Sequence, residues 1–368
     1  HKGGSNLSVT NYRPISLLPN ISIIFEKLIF NRLMSFLLKY NTLSKYQYGF
    51  QPNKSTELAV HAIISNIVNA FEEKKSAYGI FLDFAKAFDT VDHCILLKKL
   101  EYYGIRGIPL KLFKSYLLGR KQYTQINNTL SEWNAIDYGV PQGSILGPIL
   151  FLIYINDITN TSSILKFFLF ADDTTIFFSS KQSTETQKIL NNELKKVKLW
   201  LDCNKLSLNI DKSCYLKFSL LPESRNVTPK IQNTPLIKKA VTKYLGVLID
   251  EKLTWKDQIN SIGMLSRVKE YVTKSTLKTL YNSFIYPYLD YNIINWSSAA
   301  PTNLLSLAIS NKKAVRTILS KNNREPSRPL FQQLDILPLD ELIKLKKGLF
   351  MWKLYHDKLP TLNQSFYS

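Results

Sequence analysis

The chain has 368 residues, with 48 Lys and Arg against 28 Asp and Glu, a formal net charge of +20 and a sequence pI near 9.6. A hydrophobic content of 45% excludes global disorder, and no stretch approaches the roughly 20 apolar residues of a membrane-spanning helix. Cys94, Cys203 and Cys214 have no metal-ligand spacing, and so few cysteines point to a reducing compartment.

The positive excess does not sit in one tail. Residues 1–250 carry 31 basic and 19 acidic side chains, and residues 251–368 carry 17 and 9. That spread suits a long phosphate-binding groove better than a disordered arm, although solubility alone can also favour a basic chain. The start, His1-Lys2-Gly3-Gly4, is polar and lacks both an initiator Met and a secretory pattern, so the sequence reads as a fragment or as a reading frame cut at its start.

Residues 1–75 hold a loop at Arg13 and two predicted helices, Ile21–Tyr40 and Ser55–Lys74. The first is an amphipathic run after Asn20, with Ile24, Leu28 and Phe36 on its apolar side; the second opens on Ser55-Thr56-Glu57, an N-cap signature. Residues 76–250 alternate strands and helices. Strand Tyr78–Asp83 is followed by helices His93–Tyr103 and Pro109–Leu118, then strands near Tyr123–Ile126 and Trp133–Tyr138. Helix Ser144–Thr159 comes next, then a hairpin around Asp172, helix Ser183–Asn204, and strands near Cys214–Phe218 and Tyr244–Ile249. Strands with helices on one face suggest an open α+β sheet. Residues 255–368 are apolar and helical in pattern, and no internal repeat is visible.

Three runs carry chemistry. Ile80-Phe81-Leu82-Asp83 is an apolar strand that delivers a carboxylate at its end. Gly139 to Pro148 is a glycine- and proline-punctuated loop running into an apolar segment, suited to close backbone approach to a ligand. Phe170-Ala171-Asp172-Asp173 puts two adjacent carboxylates between β-rich apolar blocks, where they repel each other and lose solvation. An Asp-Asp turn is an ordinary reading of the last run by itself. A bound divalent cation is another, since Mg²⁺ takes carboxylate oxygens together with substrate phosphates. Three carboxylates on neighbouring strands are the set needed to bridge two such ions roughly 3.5–4 Å apart.

With these motifs in this order, the chain resembles the reverse transcriptase domain of non-LTR (LINE-type) retrotransposons, and among them the jockey-like elements. Asn11 to Pro19 and Gln47-Tyr48-Gly49-Phe50-Gln51-Pro52 are similar to its two finger motifs, the Asp83 run to its first palm motif and Val140-Pro141-Gln142-Gly143 to its second. Phe170 to Asp173 resembles the Tyr/Phe-x-Asp-Asp box, and Leu206 to Ser213 and Lys243 to Val247 resemble the motifs that follow. The specific motifs cover about the first 250 residues and the remainder matches more loosely.

The resemblance implies a right-hand polymerase: fingers over residues 1–75, a palm with finger insertions over 76–250, and a helical thumb with a C-terminal extension over 251–368. It implies an RNA-directed DNA polymerase that joins deoxynucleoside triphosphates to a DNA primer on an RNA template, inside the cell, as a ribonucleoprotein in nucleus and cytoplasm. Asp83, Asp172 and Asp173 would hold two Mg²⁺ ions, with Mn²⁺ as a substitute. Phe88 would crowd the sugar 2′ position, or else be a core residue. Gln142 and Gly143 would meet the incoming nucleotide, Arg13 and Lys54 its triphosphate, and Lys212 the leaving pyrophosphate, unless Lys212 is simply a solvated surface lysine. Tyr244, Leu245 and Gly246 resemble the primer-grip turn, though they also read as an ordinary strand end. The sequence departs from the pattern at Gln51, where the motif has an arginine, which removes a bidentate phosphate donor. Asp89 and Asp92 read as structural residues opening the helix at His93. Two rival functions remain at this stage: a catalytically silent nucleic-acid-binding relic or domesticated element, and a DNA-templated polymerase on the same palm.

Overall fold

A strand that is apolar on both faces has to be covered on both, and Ser76–Leu82 (β1) is such a strand, with six of its seven residues buried. In the computed structural model, which describes residues 12, 15–126, 128–181, 185–220, 227–263, 274–322 and 324–359, β1 is the centre of a five-stranded sheet. Lys166–Phe170 (β2) and Asp173–Ser180 (β3) form a tight antiparallel hairpin, and β3 pairs with β1 from Leu82↔Thr174 to Ser76↔Ser180. On the other side of β1 lies antiparallel Cys214–Phe218 (β4), followed by the parallel Ile237–Lys238 (β5), giving the order β5-β4-β1-β3-β2.

Alternation along the strands sends side chains to two separate cores. Tyr78, Ile80, Leu82, Phe167, Leu169, Ile176 and Phe178 pack with His93–Tyr102 (α3), Ile108–Leu117 (α4), Leu146–Ile155 (α5) and Thr186–Cys203 (α6). Ala77, Phe168, Phe177, Leu216 and Phe218 face the other way, onto Thr56–Glu72 (α2) and the helices that follow Trp255. The sheet is therefore covered on both faces, not on the single face that the strand and helix pattern suggests. The reason is α2, whose Val60, Ile63, Ile64 and Ile67 lie against the sheet and share one core with the buried Trp255 and Trp296. Asn295 adds polar stitching, with its Nδ2 donating to the Glu57 carbonyl at 3.3 Å and its Oδ1 3.0 Å from His61 Nδ1.

Most expected elements form, with shifted ends. The cap at Ser55 is present, its Oγ accepting from Leu58 N at 3.2 Å. The expected helix over 144–159 is an α-helix only at Leu146–Ile155 and closes as a 3₁₀ turn at Asn156–Thr161. The expected strands near 123–126 and 133–138 shrink to two-residue pairings, Lys121–Gln122 with Asn134–Ala135 and Gln125–Ile126 with Thr129–Leu130, all exposed. The start at Ser183 of the next predicted helix lies outside the described residues; the helix is seen from Thr186. The single strand expected over 244–249 is instead a hairpin, Val241–Tyr244 (β6) with Val247–Asp250 (β7), turning on Leu245 (φ 45°) and Gly246 (φ 85°). Two consecutive positive φ values are what a two-residue turn matching the strand twist demands. Among the described residues, no helix is long and apolar enough to cross a membrane.

One helix turns its expected face outward. In Asn20–Lys39 (α1), Ile24 and Leu28 are exposed and Glu26 is buried. The Glu26 carboxylate accepts from Ile145 N at 2.7 Å, Leu146 N at 3.4 Å and Tyr116 Oη at 2.8 Å. It thus caps α5, a helix apolar all round whose first N–H groups have no other partner of their own kind. Glu26→Ala should lower the unfolding free energy by about 3 kcal/mol, the cost of leaving buried donors without their charged acceptor. Thermal or denaturant melts measure it, and a loss below about 1 kcal/mol would mean that the cap does not matter.

Candidate active site

The sheet register brings three aspartates to one end of the sheet. β1 and β3 pair as far as Leu82↔Thr174, so the next step of the ladder sets Asp83 across from Asp173, and Phe170↔Asp173 closes the β2–β3 hairpin over a turn of only Ala171 and Asp172. Like charges directly opposite one another are destabilising, and the site records it. The Asp173 carboxyl is pushed up from 3.8 to about 6, first by withdrawal from bulk water and then by the charges of Asp172 and Asp83. Asp173 still has an exposed surface, so the withdrawal is that of a crowded rim and not of a closed interior, and the upward direction rests on the neighbouring carboxylates as well.

Asp83 is held from behind. Its N–H donates to Ser213 Oγ at 3.1 Å, its carbonyl accepts from Asn209 N at 2.8 Å, and Ser213 Oγ donates to the Asn209 carbonyl at 2.8 Å. The turn at 209–213 that anchors Asp83 also carries Lys212, which is exposed. Asn209 and Ser213 lie in the Leu206–Ser213 motif, but their contact with Asp83 could not be read from it, because a turn's tertiary partner leaves no local signal.

The second motif docks on the first. Val140 N donates to Phe88 O at 2.9 Å and Gly139 N to Val91 O at 2.8 Å. Gln142 Nε2 donates to Asp89 Oδ1 at 2.7 Å, and its carbonyl accepts from Ser16 N at 2.9 Å. Gly143 is exposed at φ 101°. Phe88 is half-buried, one side of its ring against Phe151 with centroids 4.6 Å apart. Asp92 does cap α3, accepting from Ile95 N at 2.9 Å. Asp89 does not: it sits in the 3₁₀ turn Ala87–Asp89 and orients the Gln142 amide.

Arg13 is outside the described residues. The Lys54 ammonium turns inward, donating to the carbonyls of Lys45 at 2.7 Å and Gln47 at 2.6 Å and lying 5.2 Å from the centre of the Tyr48 ring. Burial lowers its pKa to about 8. It knits a loop together and does not point to solvent. Tyr244 is a core residue beside Phe81 (centroids 5.6 Å apart). Leu245 and Gly246 form the β6–β7 turn, whose Leu245 carbonyl accepts from Tyr291 Oη at 2.5 Å. Tyr244 thus packs the turn from beneath, leaving Leu245 and Gly246 nearer the surface.

Three acidic side chains at one sheet end offer hard oxygen donors, the chemistry a divalent cation takes. Among the described residues, no three His, Cys, Asp or Glu side chains are gathered in an arrangement that could hold a metal ion, so the carboxylates are neighbours in charge without being drawn into a ligand cluster. Residues 1–249 match the family model described as reverse transcriptase (RNA-dependent DNA polymerase). The chain belongs to the reverse transcriptase family. A probable RNA-directed DNA polymerase from transposon X-element of Drosophila melanogaster is 30% identical over 98% of this chain and 40% of that protein. The RNA-directed DNA polymerase from mobile element jockey of the same fly is 30% identical over 86% of this chain and 37% of that protein. The chain thus spans about 40% of the length of these relatives. A solved telomerase from Candida albicans in complex with a fragment of telomeric RNA aligns with a TM-score of 0.48 and 12% identity, over 86% of this chain and 59% of that one.

The raised Asp173 carboxyl has a signature that is measurable without substrate. Between 3.8 and about 6 the folded protein keeps a proton that the unfolded chain has released, so stability without divalent ions falls as pH rises through that window and levels off above it. Asp173→Asn should flatten this slope. Melts in chelator from about pH 4 to about pH 7 measure it, and an unchanged slope in the variant would place the titrating group elsewhere.

Proposed function

We propose that the chain is the polymerase part of a non-LTR retrotransposon protein and copies RNA into DNA by template-directed nucleotidyl transfer. The observation that carries this reading is the meeting of Asp83, Asp172 and Asp173 at one end of the sheet in a chain of the reverse transcriptase family. The primer 3′-hydroxyl loses its proton and attacks the α-phosphorus of a deoxynucleoside triphosphate; the bond to the bridging oxygen breaks and pyrophosphate leaves. Asp83 and Asp172 are the residues that would hold two divalent cations, with Asp173 supporting one, and Mg²⁺ is the expected ion. Such a pair, when bound, stabilises the attacking and leaving oxygens.

The remaining roles belong to the chain's own groups. The Gln142 amide, fixed by Asp89, and the open backbone at Gly143 offer a platform for the incoming nucleotide. Phe88, half-buried and tied through its carbonyl to Val140 N of the same loop, would be the group to crowd a 2′-hydroxyl, a repulsive route to selectivity. Lys212, exposed on the turn that anchors Asp83, is the cation to offset charge on leaving pyrophosphate. In this reading residues 1–75 serve as fingers, 76–250 as palm and 251–368 as thumb, with the net charge of +20 matched to a template and primer. The partners are an RNA template, a DNA primer and deoxynucleoside triphosphates, met within a ribonucleoprotein in cytoplasm and nucleus. A silent relic is disfavoured by three intact aspartates in one uninterrupted frame.

Primer extension on RNA and DNA templates of the same sequence tests the reading; extension on DNA alone, or on neither, overturns it. Asp172→Asn should abolish extension yet leave template-primer affinity within a few-fold, since phosphate contacts elsewhere supply most of it. Residual activity above about 1%, a barrier change under roughly 2.7 kcal/mol, contradicts its role. Phe88→Val should raise ribonucleotide use more than it changes deoxynucleotide use; an equal loss of both marks Phe88 as packing alone.

A further inference from the structure

The turn that carries Asp172 is not self-supporting. Ala171 takes φ 54°, a left-handed conformation in which a residue with a Cβ is strained. A two-residue turn could relax by swinging its tip, and Asp172 would move with it. Something outside the hairpin has to hold that tip.

The loop from Ser44 to Lys54 is built to do so. Tyr48 N donates to Leu169 O at 2.7 Å and Leu169 N to Tyr46 O at 2.9 Å, so residues 46–48 pair along the outer edge of β2 as a short parallel strand. Between them the Gln47 side chain is 2% exposed and points across to the turn. Its Oε1 accepts two backbone N–H groups, from Gly49 at 2.8 Å and from Ala171 at 3.1 Å. Gly49 presses on the same spot: a Cβ there would come 2.6 Å from Ala171 N. The loop is closed behind Gln47, whose carbonyl accepts from Lys54 Nζ at 2.6 Å and Gln51 Nε2 at 3.1 Å. Ser44 N donates to Asn156 Oδ1 at 2.7 Å, tying the loop to the end of α5.

We propose that Gln47 is a positioning residue for catalysis: its side-chain oxygen, presented by the Ser44–Lys54 loop, clamps the strained Ala171 N–H and so fixes where Asp172 stands relative to Asp83. Gln51 and Lys54 serve the same end from behind, as ties that hold the Gln47 backbone. The inference rests on the polymerase reading for its effect on rate, but the clamp itself is observable without turnover.

The experiment uses the full chain, folded by circular dichroism, with two readouts. Hydrogen–deuterium exchange, without substrate or metal, follows the peptide spanning Phe168 to Thr174. In Gln47→Met, which fills similar space without the acceptor, the Ala171 amide should lose protection while peptides of β1 and β4 keep theirs. Gln47→Glu retains an oxygen acceptor and should keep that protection. Primer extension with saturating Mg²⁺ should show kcat for Gln47→Met down about 10–100-fold, the range for groups that orient a metal's ligands, with KM for the nucleotide and template-primer affinity little changed. Gly49→Ala, which pushes on Ala171 from the same side, should give the same exchange change and the same split, and it stands in if Gln47→Met does not fold. Unchanged exchange at Ala171 in both variants overturns the clamp. Changed exchange with an unchanged kcat overturns its catalytic role, and absence of extension by the unmodified chain strikes the polymerase reading instead.

Discussion

Mutual repulsion among three carboxylates is the constraint around which the rest of this structure is arranged. Asp83 follows directly on β1, Asp173 opens the adjacent β3, and Asp172 occupies the two-residue turn before it. Left to themselves, such charges separate or pick up protons, and the Asp173 carboxyl, raised first by withdrawal from water and then by the charges of Asp172 and Asp83, leans toward the second response. The first is prevented by backbone ties. Asp83 is tied on both its N–H and its carbonyl to the Asn209–Ser213 turn, and the Ala171 N–H is tied to Gln47. Both ties are made through backbone groups and not through the carboxylates.

The same economy appears in the buried charge at Glu26. A carboxylate withdrawn from water is costly unless its oxygens are satisfied, and here both accept hydrogen bonds, including those of the first amides around α5. The consequence reaches the site, because α5 begins directly after the loop holding Gln142 and Gly143. The cap fixes where that helix starts, while Asp89 and Ser16 fix how the loop before it lies. The cost falls on α1, which must roll Ile24 and Leu28 toward solvent to bring Glu26 inward.

Sharing of the second core explains why the C-terminal helices are more than an appendage. Trp255, Trp296 and Leu289 pack in one cluster with α2 and with the sheet residues Phe168 and Phe177. These two phenylalanines belong to β2 and β3, the strands of the Asp172 hairpin. Tyr291 also closes the Leu245–Gly246 turn. The C-terminal region therefore supports the face of the sheet opposite α5, whatever it also grips.

The sequence by itself determined the strands and helices whose signals are local. Apolar runs ending in aspartate gave β1 and the Asp172 hairpin, Ser55 gave the cap of α2, and the order of motifs gave the family. These are legible because period, capping and turn chemistry act over a few residues. Tertiary structure alone decided the rest. Whether α2 covers the sheet, whether Asp89 caps a helix or holds Gln142, whether Lys54 faces a phosphate or two carbonyls, and whether Glu26 or Ile24 turns inward all depend on tertiary partners, which for the hydrogen bonds lie from 7 to 119 residues away in the chain. Such choices are settled by packing and by which buried polar group finds a partner, and neither leaves a periodic or capping signal in the local sequence.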